Sequence, residues 1–301
     1  MNVFVTGATG AIGRYVIPEL VQAGHDVTGL ARSDAKAAQL EAQGARAARV
    51  SMFDEAALRD VFHGIEAVCN LATAIPPVAK SARAAAWAEN ERIRTEGSAA
   101  VVDAALAAGV GRVVQESITF NYPGRGDEWI DESVPIDPPV QGRSVAIAEH
   151  NTARFTARGG TGVVLRFAMF YGSGSEHTEQ FLRAARRHIG TMVGKPRAYQ
   201  SFIHLHDAAT AVVAALTVPA GVYNVVDDEP LTKRETAFAI GAAVGKRPWL
   251  LLPGRWAVLG GKKAEILLRS QRVSNRTMKG ATGWSPTYPS SRDGWKAVAD
   301  A

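Results

Sequence analysis

The sequence contains one cysteine, Cys69, among 301 residues. This scarcity excludes a disulfide framework and a cysteine-based metal site. Long hydrophobic runs are missing too: no apolar stretch approaches the roughly 18 residues of a membrane span. The N-terminus begins with a strand-like segment, whereas a secretion signal begins with basic and then apolar residues. We therefore expect a cytoplasmic protein with no membrane partner and no metal.

An excess of either charge is also small, with 34 Lys and Arg against 29 Asp and Glu and a formal net charge of +5. The basic excess lies in the C-terminal part of the chain, in residues such as Arg269, Arg272, Arg276 and Lys279. Such an asymmetry is compatible with an anionic ligand or with a nucleic acid. These residues are dispersed, which favours solvated helix faces and predicts no nucleic-acid partner.

Strand-like and helix-like patterns alternate along the chain. Residues 1–5 are typical of a buried strand, and residues 12–23 have the apolar spacing of a helix that ends at Gly24. The alternation continues with strands at 25–31, 45–50, 67–72 and 112–117 and with helices at 34–43, 55–63 and within 81–108. It predicts an α/β fold with a Rossmann-type doubly wound parallel sheet.

A glycine-rich segment, Thr6-Gly7-Ala8-Thr9-Gly10-Ala11-Ile12-Gly13, connects the first strand to the first helix. Gly7 is suited to a tight turn, Gly10 to a close approach of the backbone to a pyrophosphate, and Gly13 to close packing of helix and strand. The N–H groups at the start of the helix point towards such an anion. The segment therefore predicts a dinucleotide site.

Further motifs follow the glycine loop in a characteristic order. They are Asn70-Leu71-Ala72, Asn90, Thr95-Glu96-Gly97, Gly111-Arg112-Val113-Val114 with Ser117 and Tyr122, Leu165-Arg166, Tyr171-Gly172, residues 202–207, Tyr223-Asn224-Val225 and Gly283-Trp284-Ser285-Pro286. In this order they resemble the extended, atypical short-chain dehydrogenases/reductases of the NAD-dependent epimerase/dehydratase family over nearly the whole chain. The resemblance implies an NAD(P)-binding oxidoreductase or isomerase that acts on a small organic molecule.

The regular alternation of strands and helices fades from about Ala168 onward, which predicts a discontinuous division of the chain. Residues 1–167 plus about 200–226 form the NAD(P)-binding Rossmann domain, and about 168–199 plus 227–301 form a smaller C-terminal substrate lobe. Strand candidates at 201–204 and 221–226 return to the main sheet in this interpretation, and 233–244 is a helix of the lobe. Family members also often pair through the two helices beside the catalytic site, so a homodimer is expected.

The resemblance also assigns residues to the cofactor. Thr9, Ala11 and Ile12 border the pyrophosphate, and Leu71, Ala72 and Thr73 face the ribose and nicotinamide. At the adenine end, where the family usually has an aspartate, the alignment places Ser51, followed by Met52; an alternative register uses Asp54.

The end of the second strand carries Arg32 and Ser33 where NAD-specific proteins have an acidic residue that binds the ribose hydroxyls. Arg32, with Arg14 after the glycine loop, provides two guanidinium groups for a 2′-phosphate. The expected cofactor is therefore NADP, with NAD as the alternative.

The usual Tyr-x-x-x-Lys catalytic pair is absent. None of the six tyrosines is followed four positions later by lysine, and matching Glu149 to a common family glutamate puts Gln141 and Val145 in the places of the pair. Neither side chain transfers protons. The remaining candidates are Tyr122, assisted by Ser117 at the end of a strand, or a bound water, whereas Glu116, Glu149 and His150 are expected to be solvated or salt-bridged.

Two other features leave alternatives open. The loop 122–132 is unusually charged and aromatic, and it either borders the substrate pocket or forms an exposed turn with Trp129 as its anchor. Trp249 and Trp256 either roof an apolar pocket or belong to the core of the small lobe.

Three functions remain compatible with this sequence. The first is an atypical oxidoreductase with an unconventional proton donor. The second is a catalytically degenerate NADP-binding sensor or scaffold, which explains the absent pair most directly. The third is a nucleotide-sugar epimerase or dehydratase, which requires the same missing proton chemistry.

Overall fold

The computed structural model describes residues 1–77, 80, 83–192, 194–251 and 268–300. Its strands are β1 (Asn2–Thr6), β2 (Asp26–Leu30), β3 (Arg46–Ala48), β4 (Ala67–Asn70), β5 (Arg112–Ile118), β6 (Trp129–Ile130), β7 (Thr161–Phe167), β8 (Met169–Tyr171), β9 (Ile189–Gly190), β10 (Tyr199–Gln200), β11 (Phe202–His204), β12 (Gly221–Val225), β13 (Leu231–Thr232), β14 (Leu250–Leu251) and β15 (Arg272–Val273).

Its α-helices are α1 (Gly13–Gln22), α2 (Asp34–Ala42), α3 (Glu55–Val61), α4 (Ala88–Arg92), α5 (Ser98–Ala107), α6 (Arg143–Ala157), α7 (Glu176–Arg186), α8 (Leu205–Ala214), α9 (Lys233–Ala243), α10 (Arg276–Thr282) and α11 (Ser291–Asp300). Short 3₁₀ turns cover Ala84–Trp87, Thr119–Asn121 and Val140–Gly142. A π-helical turn, Ile93–Gly97, connects α4 to α5.

The chain forms two compact units. The first unit comprises Met1–Ser117, Arg143–Arg166 and Ala209–Tyr223, and the second comprises Ile118–Gly142, Phe167–Ala208 and Asn224–Ala301. The domain boundaries expected from the sequence stay a prediction.

A seven-stranded sheet has the order β12-β7-β5-β4-β1-β2-β3. The pairs from β3 through β5 are parallel, with Val3 opposite both Val27 and Ala67. Strand β1 lies inside the sheet because its apolar residues Val3, Phe4 and Val5 are fully buried. This sheet confirms the α/β Rossmann-type fold class, and its parallel order brings the carboxyl ends of β1 to β5 to one edge.

The core of the first unit is formed by aromatic and aliphatic side chains of the sheet and its helices. The rings of Phe4 and Phe62 meet edge to face at 4.9 Å between centroids, within a cluster that also contains Val101, Val113 and Phe155. Their burial anchors helices α3, α5 and α6 in this unit.

The second unit contains short two-stranded sheets, β6 with β15, β8 with β11, β9 with β14 and β10 with β13. Its core includes Tyr171, Phe202 and Trp295, and the rings of Tyr171 and Trp295 stack at 4.9 Å between centroids. Helix α9 begins with a capping box between Thr232 and Glu235, which satisfies two N–H groups of its first turn.

Two sequence expectations about elements need correction. The segment 201–204 does not return to the main sheet, because β11 pairs with β8 instead. The helix expected within 81–108 is interrupted by the π-helical turn, which adds one residue to a turn of the backbone.

No helix in the described ranges is long and apolar enough to cross a bilayer.

Candidate functional site

The glycine loop has the geometry that its three glycines predict. Gly7 has φ of +66°, a conformation that favours glycine. A Cβ atom on Gly7 would lie 2.6 Å from the carbonyl oxygen of Leu71, and one on Gly13 would overlap the carbonyl oxygens of Gly7 and Ala8. Among the described residues, a Cβ on the exposed Gly10 would have only Gly7 nearby, with its oxygen 3.0 Å away. Gly7 and Gly13 thus serve the fold, while Gly10 keeps the outer side of the loop open.

The N–H groups at the start of helix α1 form an anion cradle. Within the described ranges, the N–H groups of Ala11, Ile12 and Gly13 donate no hydrogen bond, and α1 has no side-chain cap. Unpaired N–H groups at a helix start carry partial positive charge and bind phosphate oxygens. The cradle and the missing Cβ of Gly10 therefore fit a pyrophosphate.

The loops after β1 and β4 are held together by hydrogen bonds. Thr6 Oγ1 donates to Asn70 Oδ1 at 2.5 Å and accepts from the N–H of Ala72 at 3.3 Å. Asn70 Nδ2 donates to Gln115 Oε1 at 2.8 Å. These bonds place Leu71, Ala72 and Thr73 beside the glycine loop, at the same sheet edge.

The loops after β2 and β3 provide the other predicted cofactor residues. Arg32 is exposed directly after β2, and the hydroxyl of Ser33 accepts from the N–H of Lys36, which caps helix α2. Ser51 Oγ accepts from the N–H of Phe53 at 3.2 Å, while Asp54 caps α3 by accepting from Ala57 at 3.0 Å. Met52 is buried. The parallel order of β4, β1, β2 and β3 brings all these segments to one edge of the sheet.

Ser117 lies at the end of β5 in a buried ionic network. Its hydroxyl donates to Glu149 Oε1 at 2.5 Å. Arg166 donates to both oxygens of Glu149, at 2.9 and 2.7 Å, with both side chains almost buried. Glu149 is thus salt-bridged, as the sequence suggests, and it also orients the hydroxyl of Ser117.

A second buried ion pair lies next to Ser117. Arg94 donates to both oxygens of Glu116, at 2.8 and 3.0 Å, and each side chain is 4% exposed. Burial raises the pKa of Glu116, and the nearby Arg94 opposes that rise. Sequence reasoning missed Arg94 and Arg166 as partners. The available signal was Glu116 itself, since a carboxylate inside an apolar strand requires a cation.

Helix α6 offers no acid or base at the positions of the absent pair. Val145 is fully buried, and Gln141 lies in the 3₁₀ turn before the helix begins. Neither side chain titrates, so neither replaces the acid–base pair. In the first unit, Ser117 has a hydroxyl whose hydrogen is directed to a carboxylate.

Tyr122 belongs to the second unit and is fully buried. Its hydroxyl donates to Asn224 Oδ1 at 2.9 Å, and its carbonyl accepts from Arg269 at 2.7 Å and from Gln271 at 2.6 Å. These bonds fix the residue in its loop. Its role as a proton donor stays a prediction.

The histidines of segment 202–207 lie close in sequence to a buried carboxylate, Asp207. Burial lowers the pKa of His204 to about 4, so its ring is neutral at pH 7. The carboxylate of Asp207 accepts from the N–H groups of Thr287 and Tyr288, at 2.7 and 3.0 Å. Among the described residues, no group of three or more His, Cys, Asp or Glu is arranged to hold a metal ion.

Of the two tryptophans that the sequence offers as a pocket roof or a core, Trp249 and Trp256, the structure describes the first. Trp249 is 75% exposed, so it does not belong to a core. Trp256 lies outside the described residues.

Comparison with known proteins gives consistent matches. The model of the NAD dependent epimerase/dehydratase family matches residues 3–226. A 3-diazoavenalumate denitrifying reductase from a Streptomyces species is 33% identical, over 98% of this chain and 99% of the relative. A 2-alkyl-3-oxoalkanoate reductase from Shewanella oneidensis is 26% identical, over 82% of this chain and 67% of the relative. The crystal structure of human epimerase family protein SDR39U1 with NADPH superimposes with a TM-score of 0.83, at 25% identity, over 100% and 99% of the two chains.

Proposed function

Because the chain belongs to the NAD dependent epimerase/dehydratase family, we propose that it is an NADPH-dependent reductase that needs no proton donor on helix α6. Membership confirms the resemblance noted in the sequence and the expected class of NAD(P)-binding oxidoreductase. The observation that carries the proposal is an intact glycine loop combined with Gln141 and Val145 in place of the acid–base pair.

The residues of the first unit fit a dinucleotide. Ala11, Ile12 and Gly13 offer their N–H groups to the pyrophosphate, Gly10 leaves room for it, and Leu71 to Thr73 lie on the nicotinamide side. When bound, the reduced nicotinamide supplies a hydride.

The loop after β2 favours NADP over NAD. Arg32 is exposed there, and the only carboxylate at the start of α2, Asp34, is paired with Arg49. The pairing reduces repulsion of a 2′-phosphate, while Arg32 and Arg14 supply positive charge. The human relative solved with NADPH supports the same choice.

We expect Arg32→Ala to weaken NADPH binding about tenfold, because a charge-assisted hydrogen bond to the 2′-phosphate is lost. NADH affinity should not change. Calorimetric titration of both cofactors measures the ratio. Arg46→Ala is a matched control, since Arg46 is also an exposed arginine of this unit and is paired with Asp26. Equal affinity of the unmodified protein for both cofactors would contradict the assignment.

The missing acid–base pair favours one kind of substrate. Reduction of a carbonyl group produces an alkoxide that must be protonated, the step that the family's Tyr-Lys pair serves. Reduction of an arenediazonium group needs no proton: hydride replaces nitrogen on carbon, the C–N bond breaks, and dinitrogen leaves with the electron pair of that bond. The name of the Streptomyces relative contains such a diazo substrate. We therefore propose an arenediazonium compound as the substrate class.

The test is turnover of a simple probe. The purified protein is incubated with NADPH and benzenediazonium, and benzene, dinitrogen and oxidised cofactor are quantified against a reaction without protein. With cofactor deuterated at the transferable position, the benzene should carry deuterium. The Gly10→Val variant serves as the enzyme control. The proposal fails if ketones and aldehydes are reduced while the diazonium probe reacts no faster than in the blank.

A ketone reductase is the second candidate, supported by the similarity to the oxoalkanoate reductase. In that case the proton would come from Tyr122, assisted by Ser117, or from a bound water. If the protein reduces a ketone, Tyr122→Phe and Ser117→Ala should each lower kcat for that ketone by roughly a hundredfold. A cofactor-binding sensor without turnover is the outcome if NADPH binds and no probe is reduced.

Two further expectations from the sequence remain proposals. They are the association of two copies and a cytoplasmic location. Sedimentation of the purified protein tests the first, and fractionation of the source cells tests the second.

A further inference from the structure

The charged loop 122–132 contributes to a cluster of aromatic and arginine side chains in the second unit, which we call the Trp129 cluster. It consists of Trp129, Tyr199, Arg272 and Arg276. Strands β6 and β15 pair so that Arg272 lies opposite Trp129. The guanidinium carbon of Arg272 is 4.1 Å from the ring centroid of Trp129 and 5.1 Å from that of Tyr199. The guanidinium of Arg272 therefore contacts two aromatic rings.

The guanidinium group of Arg276 approaches the same tryptophan, with its carbon 5.8 Å from the ring centroid. Trp129 itself remains 42% exposed, although it is a large aromatic side chain. Two cations thus converge on one exposed ring. Such contacts orient the arginine side chains before any ligand binds and reduce the entropy that binding removes.

These two arginines have no carboxylate partner among the described residues, unlike their basic neighbours. Arg125 pairs with Glu128, Arg269 with Asp137, and Lys279 with Asp228. Arg272 has only a long contact, 3.4 Å, from Nη1 to the carbonyl oxygen of Asp127, and its Nε is buried without an acceptor. The cluster therefore retains two positive charges that no carboxylate of the described residues pairs directly.

We propose that the Trp129 cluster binds a planar aromatic carboxylate. The planar guanidinium of Arg272 matches the two oxygens of a carboxylate, Arg276 adds a second charge, and the exposed part of Trp129 offers apolar surface to the aromatic ring. A polyanion such as a nucleic acid fits less well, because the same loop also carries Asp127, Glu128 and Asp131. The proposal is independent of the reductase function and concerns binding alone.

The test uses the full-length protein, labelled with ¹⁵N, and trans-cinnamate as the probe. The indole N–H signal of Trp129 is identified by its loss in Trp129→Phe. We expect cinnamate to shift this signal in a saturable manner. Cinnamamide, its uncharged analogue, and acetate, which lacks the ring, should each bind at least about tenfold more weakly, since each lacks one of the two interactions.

Arginine variants distinguish binding at the Trp129 cluster from a general effect of the protein's charge. Arg272→Ala should weaken cinnamate binding about tenfold, and Arg276→Ala should weaken it by a smaller factor, even if Arg272→Ala proves unstable. Arg125→Ala is the matched control, because it removes one positive charge from the same loop, and it should leave the affinity within about twofold.

The proposal is overturned if cinnamamide or inorganic phosphate binds as tightly as cinnamate. It is also overturned if neither arginine variant changes the affinity. NADPH binding measured on the same samples keeps this result separate from the reductase hypothesis, since the cofactor residues lie in the other unit.

Discussion

Gly10→Val is expected to abolish NADPH binding while the chain still folds. A branched side chain at position 10 would occupy the open outer side of the glycine loop, where the pyrophosphate approaches the N–H groups of Ala11, Ile12 and Gly13. The change requires a small local shift of the loop, because among the described residues a Cβ at Gly10 has one close neighbour, the Gly7 oxygen at 3.0 Å. Affinity should fall at least about a hundredfold, since the pyrophosphate loses several hydrogen bonds. Titration calorimetry measures it, and circular dichroism monitors the fold.

Two other glycines serve as controls. Gly13→Val should damage the fold itself, because its side chain would overlap the backbone of the loop. Gly111→Ala should change neither property, since in the described part of the chain its added Cβ would have only the Glu66 oxygen nearby, at 3.7 Å. Undiminished NADPH binding by a folded Gly10→Val protein would remove the glycine loop from the cofactor site.

Glu149→Ala is expected to lower the free energy of unfolding by about 3–5 kcal/mol, the usual cost of removing one partner from a buried ion pair. The side chains of Arg166 and Glu149 are 8% and 11% exposed, so water cannot replace the lost carboxylate effectively. The hydroxyl of Ser117 would lose its acceptor at the same time. Equilibrium denaturation with urea measures the change.

The matched control is Glu96→Ala. Glu96 pairs with Arg92 on the surface, where the side chains are 66% and 48% exposed, and exposed pairs contribute little because of solvent screening. The expected loss is below about 1 kcal/mol. If both variants lost similar stability, the network around Ser117 would not be a buried ion pair in solution.

Much of the first unit follows from local sequence. The glycine spacing predicted the β1 turn and the start of α1, because only glycine tolerates the positive φ at Gly7 and the close contact at Gly13. The bounds of β5 and α9 also lie within one residue of those predicted, since apolar periodicity reflects burial directly. The absence of a Tyr-x-x-x-Lys pair was visible from spacing alone.

Long-range pairing was decided by the tertiary structure. Arg166 and Glu149 are 17 positions apart, and Arg94 and Glu116 are 22 apart, so no local pattern identified them as partners. The π-helical turn places Arg94 among buried residues, and the pairing of β11 with β8 removed residues 201–204 from the main sheet.

By itself, the sequence determined the fold class, the family and the conformation of the glycine-rich turn, because these depend on residue types at short, fixed spacing. Only the tertiary structure decided that the hydroxyl of Ser117 points to Glu149, that Tyr122 donates to Asn224, and that two arginines converge on Trp129. The physical reason is that a side chain's partners are chosen by packing between distant segments, where burial makes an unpaired charge or hydroxyl costly.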